Sequence, residues 1–279
     1  MLNMLKMDFY RMFHTKRLYT FWIIMIVMLV YTTSLLLLEE VIEQTGQETV
    51  IEKSEIENIN IGISVILPTK AGEVVTVYDV MYANISAKFI ALFCVIFTVM
   101  FSTEDIHSGY VKNIAGQVKN RGSLVISKAI SLLVFVVVTL LGTVIVQMFS
   151  NFLVWGEIEL GNFSEFFSYM ITQIILHYAF VLIAMAVAII LKNNVISMVI
   201  VICLSMNVVI ILYSGIDKLI EKLGISNFHL LDYTITGKIT MLPMELTKKD
   251  SMESIGISLI FIIGSIILTS MIFQKRDIS

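Results

Sequence analysis

Six long apolar runs limit what this chain can fold into: Tyr19–Leu38, Met81–Phe101, Leu124–Phe149, Tyr169–Leu191, Val195–Tyr213 and Ser254–Phe273. An α-helix needs about 20 mostly apolar residues to cross the hydrocarbon of a bilayer. Each run meets that requirement, and the third is long enough to tilt or protrude. Composition agrees, because 57% of the 279 residues are hydrophobic and only 15% are charged. Soluble domains sit nearer half and a quarter. The sequence therefore predicts an all-α membrane protein with six transmembrane helices, organised as one domain over residues 1–279. Lys6, Arg11, Lys16 and Arg17 precede the first run, as they would in a signal peptide. That run stops at Glu39-Glu40 with no small-residue cleavage site, so it reads as a retained span.

Lys and Arg in short flanking segments orient such a chain. The N-terminal segment, the 102–123 loop (Lys112, Lys119, Arg121), the Lys192-Asn193-Asn194 turn and Lys275-Arg276 are basic. The 39–80 loop carries acidic residues from Glu39 to Asp79 against only Lys53 and Lys70, and the 150–168 loop has Glu but no Lys or Arg. Basic and acidic segments alternate, which predicts both termini in the cytoplasm.

The remaining segments have patterns of their own. Leu2, Leu5, Phe9, Met12 and Phe13 recur at helical spacing among basic residues, predicting an amphipathic interfacial helix over 1–18. In the 39–80 loop, Ile59–Val65 alternates apolar with small or polar residues, Pro68–Gly72 reads as a turn, and Val74–Tyr78 is β-prone. Together they predict a small external hairpin. In the 214–253 loop, Asp217–Leu223 reads as a short amphipathic helix capped at Gly224. Phe228, Leu230, Leu231, Ile235 and Ile239 follow, predicting a re-entrant external segment before the last span.

Catalytic patterns are missing. The sequence holds no GxxxxGK[ST], no HExxH and no GxSxG, and His14, His107, His177 and His229 fall in different segments. No metal site is expected, and Cys94 and Cys203 lie in apolar runs as small hydrophobes. Glu39-Glu40 has the look of the glutamate pair of intramembrane CAAX-type proteases, but Val41, Ile42, Glu43 and Gln44 follow where that family wants an arginine. The pair reads as a solvated helix end. Within the spans, Lys88 and Lys128 are expected to snorkel to the interfaces. His177, four residues after Gln173, is the most interior ionisable group and a candidate functional residue. The spans contain no carboxylate, which argues against an ion-coupled pump. Nothing in the charge pattern points to nucleic acid.

The most informative segment is the first loop on the basic side. It runs Glu104-Asp105-Ile106-His107-Ser108-Gly109-Tyr110-Val111-Lys112-Asn113-Ile114 and then Arg121 to Lys128. An acidic pair ends a span, a glycine breaks it, a short helix carries Tyr110, Val111 and Ile114, and a basic return enters the membrane. Such a helix suits docking to a soluble partner. This pattern, with the layout of an interfacial helix, six spans and a re-entrant segment, resembles the permease subunits of ABC-2 type transporters. Within that family it looks like the small permeases that export or confer immunity to lantibiotics and other antimicrobial peptides.

The resemblance implies a bacterial plasma-membrane half-transporter, not itself an enzyme, with two copies of a soluble P-loop ATPase and a second permease, identical or homologous. It implies that ATP and Mg are bound by that partner and none by this chain, and that the substrate is a peptide or lipid. Glu104, Asp105, Gly109, Lys112, Asn113 and Arg121 would form the cytoplasmic coupling region. The path between two permeases would be lined by Thr98, Ser131, Thr139, Thr143, Gln147 and Asn207, with Gln173 and His177 nearby. The rival reading is a non-transporting sensor or immunity protein that binds a peptide.

Overall fold

The structure is a computed structural model that describes residues 2–44, 65–69, 72–107, 122–222 and 228–275. Its elements are α1 (Leu2–His14), α2 (Lys16–Gln44), α3 (Val77–Ser86), α4 (Phe89–His107), α5 (Gly122–Trp155), α6 (Phe163–Leu191), α7 (Asn194–Ser205), α8 (Ile210–Lys222), a 3-10 turn (Leu230–Tyr233), α9 (Ile235–Met241) and α10 (Lys248–Lys275). There is no strand among the described residues. Four helices, α2, α5, α6 and α10, are long and apolar enough to cross a membrane; the number rises to six if each of two bent pairs counts as one span. An apolar all-helical bundle of this kind is what a multi-pass membrane protein requires, because helices satisfy their own backbone polar groups in lipid.

The second and fifth expected spans correspond to bent pairs of helices. α3 and α4 meet at 53°, and α7 and α8 at 65°. Neither break holds glycine or proline. The first turns at Ala87-Lys88, with Lys88 in the left-handed region at φ 58°, and the second at Met206–Val209, with Asn207 at φ 59°. The expected short helix at Asp217–Leu223 is helical as far as Lys222, as the end of α8, which begins at Ile210; Leu223 and the expected cap at Gly224 lie outside the described residues.

The β-prone run Val74–Tyr78 is helical from Val77 onward. Thr76 caps α3 reciprocally with Asp79: the Thr76 side chain accepts from the Asp79 amide, and Asp79 accepts from the Thr76 amide at 2.8 Å. That capping box satisfies two amides that a helix start leaves open, and it outweighs the β preference of the valines. The other half of the expected hairpin, Ile59–Ser64, lies outside the described residues.

α6 is the centre of the bundle. Of its most apolar window 61% is buried, against 22% for α2 and 11% for α10. α4, α5, α7 and α10 all pack on it. The buried residues of α10 are Ser254, Ser258, Ser265 and Thr269, a seam of small hydroxyl side chains. In lipid, where apolar faces gain little from meeting one another, small residues let helices approach closely enough for dispersion and hydrogen bonds to act. Thr172 on α6 and Ser251 on α10 hydrogen-bond at 3.1 Å at the top of this contact.

Polar contacts define two ends. At the basic end, Arg17 at the start of α2 pairs with Glu104 near the end of α4 at 3.3 Å. There too, Ser127 of α5 donates to Asp8 of α1. At the acidic end, the Val77 amide donates to Glu159 O at 2.7 Å, and Leu36, Val75 and Val80 form a small cluster with Trp155 against it. Between α6 and α7, Lys192 ends one helix in the left-handed region, and the Asn193 side chain accepts from the Val195 and Ile196 amides to start the next.

Candidate functional site

Two features outside ordinary helix packing stand out: a polar layer deep in the bundle and a braced cluster at the basic end. The deep layer begins with Lys88. Rather than snorkelling, it is fully buried, and its Nζ donates to Asn207 Oδ1. The bond joins the two helix breaks to each other, and both partners hold the left-handed conformation. For a residue such as Lys88 that conformation costs about 1 kcal/mol or more, whereas Asn adopts it more readily, so the contacts around Lys88 must compensate. Non-helical backbone at membrane depth occurs where protein buries it or where it lines a path.

His177 lies at a comparable depth. At a rise of about 1.5 Å per residue, His177 and Asn207 each sit about 20 Å along their helices from the 192–193 turn. The His177 ring is 1% exposed; Nδ1 bonds to Gln173 O at 2.9 Å, and Nε2 meets no hydrogen-bond partner among the described residues. One turn away, Gln173 Nε2 donates to Ile239 O of α9 at 3.4 Å. Tyr169 continues the same stripe and packs on Tyr78 and Tyr82 of α3, with ring centroids at 5.5 Å and 5.6 Å. Tyr78 in turn donates to Met244 O at 2.7 Å. One stripe of α6 thus connects the broken second span to the segment before α10.

Gln147 is in a different place. It is fully buried between α5 and α2, where Nε2 donates to Thr33 Oγ1 at 2.9 Å and Asn151 Oδ1 at 3.0 Å. Thr139, on the same seam, accepts from Trp22 Nε1 at 3.1 Å. Thr98, Ser131 and Thr143 are buried and donate to carbonyls of their own helices. Asn207 is thus brought to Lys88, Gln173 and His177 share one stripe, and Gln147 joins neither group.

At the basic end, Lys128 also fails to snorkel. It is 6% exposed, with Nζ donating to Phe101 O at 3.2 Å and standing 4.7 Å from the Phe101 ring. Lys128, Asp8 with Ser127, and Arg17 with Glu104 therefore tie α1, α2, α4 and α5 together where the chain leaves α4 and re-enters α5. The Asp105 side chain and residues Gly109, Lys112, Asn113 and Arg121 lie outside the described residues. Sequence reasoning missed Asp8, which is 3% exposed on an otherwise basic helix. Its signal was available: a single acid on the face that also carries Met12.

Among the described residues no cluster of His, Cys, Asp or Glu could hold a metal ion. Residues 47–279 match the family described as Protein of unknown function (DUF2705). The chain belongs to that family. No curated protein matches it. The DUF2705 match takes in both helix breaks, Lys88, Asn207, Glu104, Gln147, Gln173 and His177. Arg17 and Thr33, which partner Glu104 and Gln147 from α2, precede it, as does Asp8, the partner of Ser127.

Proposed function

We propose that this chain is the permease subunit of an ABC-2 type exporter in a bacterial plasma membrane. In this reading six spans cross with both termini in the cytoplasm, and two permeases work with two copies of a soluble P-loop ATPase. The substrate is amphipathic or hydrophobic, with a peptide favoured. The chain carries no catalytic group and leaves ATP and Mg to the partner.

The observation that carries the reading is the bracing at the basic end. A force delivered to the 108–121 segment would reach α4 and α5 together, because Lys128 holds the start of one to the end of the other. Arg17–Glu104 and Ser127–Asp8 would pass it on to α2 and α1. Deeper in the bundle, the joined breaks of α3/α4 and α7/α8 supply places where spans can bend without breaking long helices. Of the long helices, α10 and α2 are the least buried.

The test begins with a gentle detergent pull-down of the tagged chain and reconstitution with the ATPase that accompanies it. Replacing Glu104 and Asp105 by Ala should lower substrate-stimulated ATP hydrolysis by about five- to tenfold, the lower range of coupling between distant sites. Membrane insertion should be unchanged. Arg17→Ala removes the same exposed ion pair, worth only about 0–1 kcal/mol to the fold, so it should lower the stimulated rate in part while leaving thermal stability nearly unchanged. A fall in stability that matches the fall in rate would assign Glu104 to bundle stability instead of coupling. Repeated isolation of the folded chain with no ATPase would favour the peptide-binding sensor or immunity protein.

A further inference from the structure

The acidic end of the bundle contains a cleft of about 170 Å³ between α9 and the first turns of α10. Asp232 of the 3-10 turn and Asp250 and Ser254 of α10 line it, with Met241 and Leu242 as its apolar part. Ser254 is 1% exposed, and its hydroxyl has no hydrogen-bond partner among the described residues. A buried polar atom left this way costs roughly 1–3 kcal/mol, so a group that meets it gains. Asp250 receives the Thr247 amide at 3.3 Å and the Thr247 hydroxyl at 2.5 Å, both on Oδ2, so Oδ1 takes part in neither bond. Lys238 also lines the cleft; Glu253 Oε1 holds its ammonium at 2.7 Å, and its charge and that of Lys249 both act on the Asp250 carboxylate. Lys249 is exposed beside Asp250.

We propose that this cleft binds a primary ammonium on an apolar stem, such as a lysine side chain of an amphipathic peptide. An ammonium has three donors and no acceptor, which matches two carboxylates and one hydroxyl oxygen. The methylenes of the stem lie against Met241 and Leu242. With only two carboxylates and no His or Cys in its lining, the cleft is better suited to an organic cation than to a metal ion. The position also carries information inward. Ser254 belongs to the hydroxyl seam of α10 on α6, and α9 holds Gln173 through Ile239 O. A ligand in the cleft therefore touches the two elements that flank the α6 stripe. The permease reading says what such a ligand is for, while the binding itself rests on the cleft alone.

The test uses the full chain in nanodiscs of zwitterionic lipid, with no ATPase present, and the soluble peptide N-acetyl-Leu-Lys-amide as probe. Calorimetry should detect binding of this peptide and not of its norleucine or glutamate counterparts. Asp232→Asn with Asp250→Asn should weaken binding at least about tenfold, as loss of charge-assisted bonds implies. Asp232→Asn alone leaves the Thr247–Asp250 cap intact and should weaken it severalfold; Glu221→Gln on α8 should change nothing. Equal binding of the norleucine peptide overturns the proposal, and so does unchanged affinity in a folded Asp232→Asn, Asp250→Asn double variant. Because the readout is binding without ATP, a positive result survives failure of the transporter reading, and a negative one leaves that reading in place.

Discussion

Lys88 and Asn207 hold a costly arrangement in the bundle. Both have positive φ, a conformation that Asn tolerates and Lys avoids, and each lies where its helix pair bends. A buried amine that donates to a neutral amide oxygen is satisfied only while that oxygen stays in place. Asn207→Leu should therefore destabilise the fold by about 1–3 kcal/mol, the cost of a buried donor left unsatisfied. Adding Lys88→Met should restore most of the loss, because two apolar groups in the same space leave nothing unsatisfied. Unfolding by SDS titration of both singles and the double gives the coupling energy directly. A coupling near zero would mean that the two breaks form independently. From sequence, Lys88 has only a position along an apolar run, and position alone favours snorkelling. Its burial follows from a helix break that no glycine or proline announces. His177 and Gln173 were legible as interior polar residues because polarity within a long apolar helix needs no knowledge of bends.

Among the elements, the small ones near the acidic end do most of the positioning. α9 has seven residues, and it lies against α6 with Ile235 and Ile239 buried. Gly237 makes that position possible: a Cβ there would sit 2.0 Å from Leu231 O and 2.8 Å from the Leu231 carbonyl carbon. Both are backbone atoms that cannot rotate away. Gly237→Ala should cost about 1–3 kcal/mol, the usual range for overpacking, and should push α9 away from the 3-10 turn at Leu231. Hydrogen exchange should then rise at 235–241 and at the α10 start, while α5 keeps its protection. Faster exchange throughout the bundle would show instead that α9 is part of one cooperative unit. Long helices were readable from the apolar runs because crossing a bilayer fixes their length. α3 was readable too, through Thr76 and Asp79 three residues apart, but the valines between and before them argued for a strand. In that contest the local hydrogen bonds of the cap prevailed over propensity. The bends in the second and fifth spans left no mark in composition, since each half is apolar enough to pass for part of a straight helix.

At the scale of the molecule, the number of crossings decides which side each terminus occupies, and the α7/α8 pair holds that decision. If the pair re-enters, Lys218 emerges on the side of Lys192; if it crosses, Lys218 emerges with Glu157. The contacts place Lys218 toward the acidic end of the bundle. Asp217 Oδ1 accepts the Leu230 amide at 2.9 Å, and the 3-10 turn that contains Leu230 packs on α9, which belongs to the acidic end. α10 starts at that same end, because Ser251 meets Thr172 near the start of α6. α10 must then finish at the basic end, together with Lys16. Single cysteines at Glu157, Ser164, Lys218, Lys16 and Gln274, in a chain with Cys94 and Cys203 replaced by Ala, test this with an impermeant maleimide on intact cells. The first three should label at once, and the last two only after the membrane is opened. The sites constrain one another: a re-entrant α7/α8 would move both Lys218 and Gln274 to the opposite group. If Lys218 labels with Glu157 while Gln274 remains protected with Lys16, six crossings are the arrangement that satisfies both. The 108–121 segment would then share a side with both termini, which a coupling role requires.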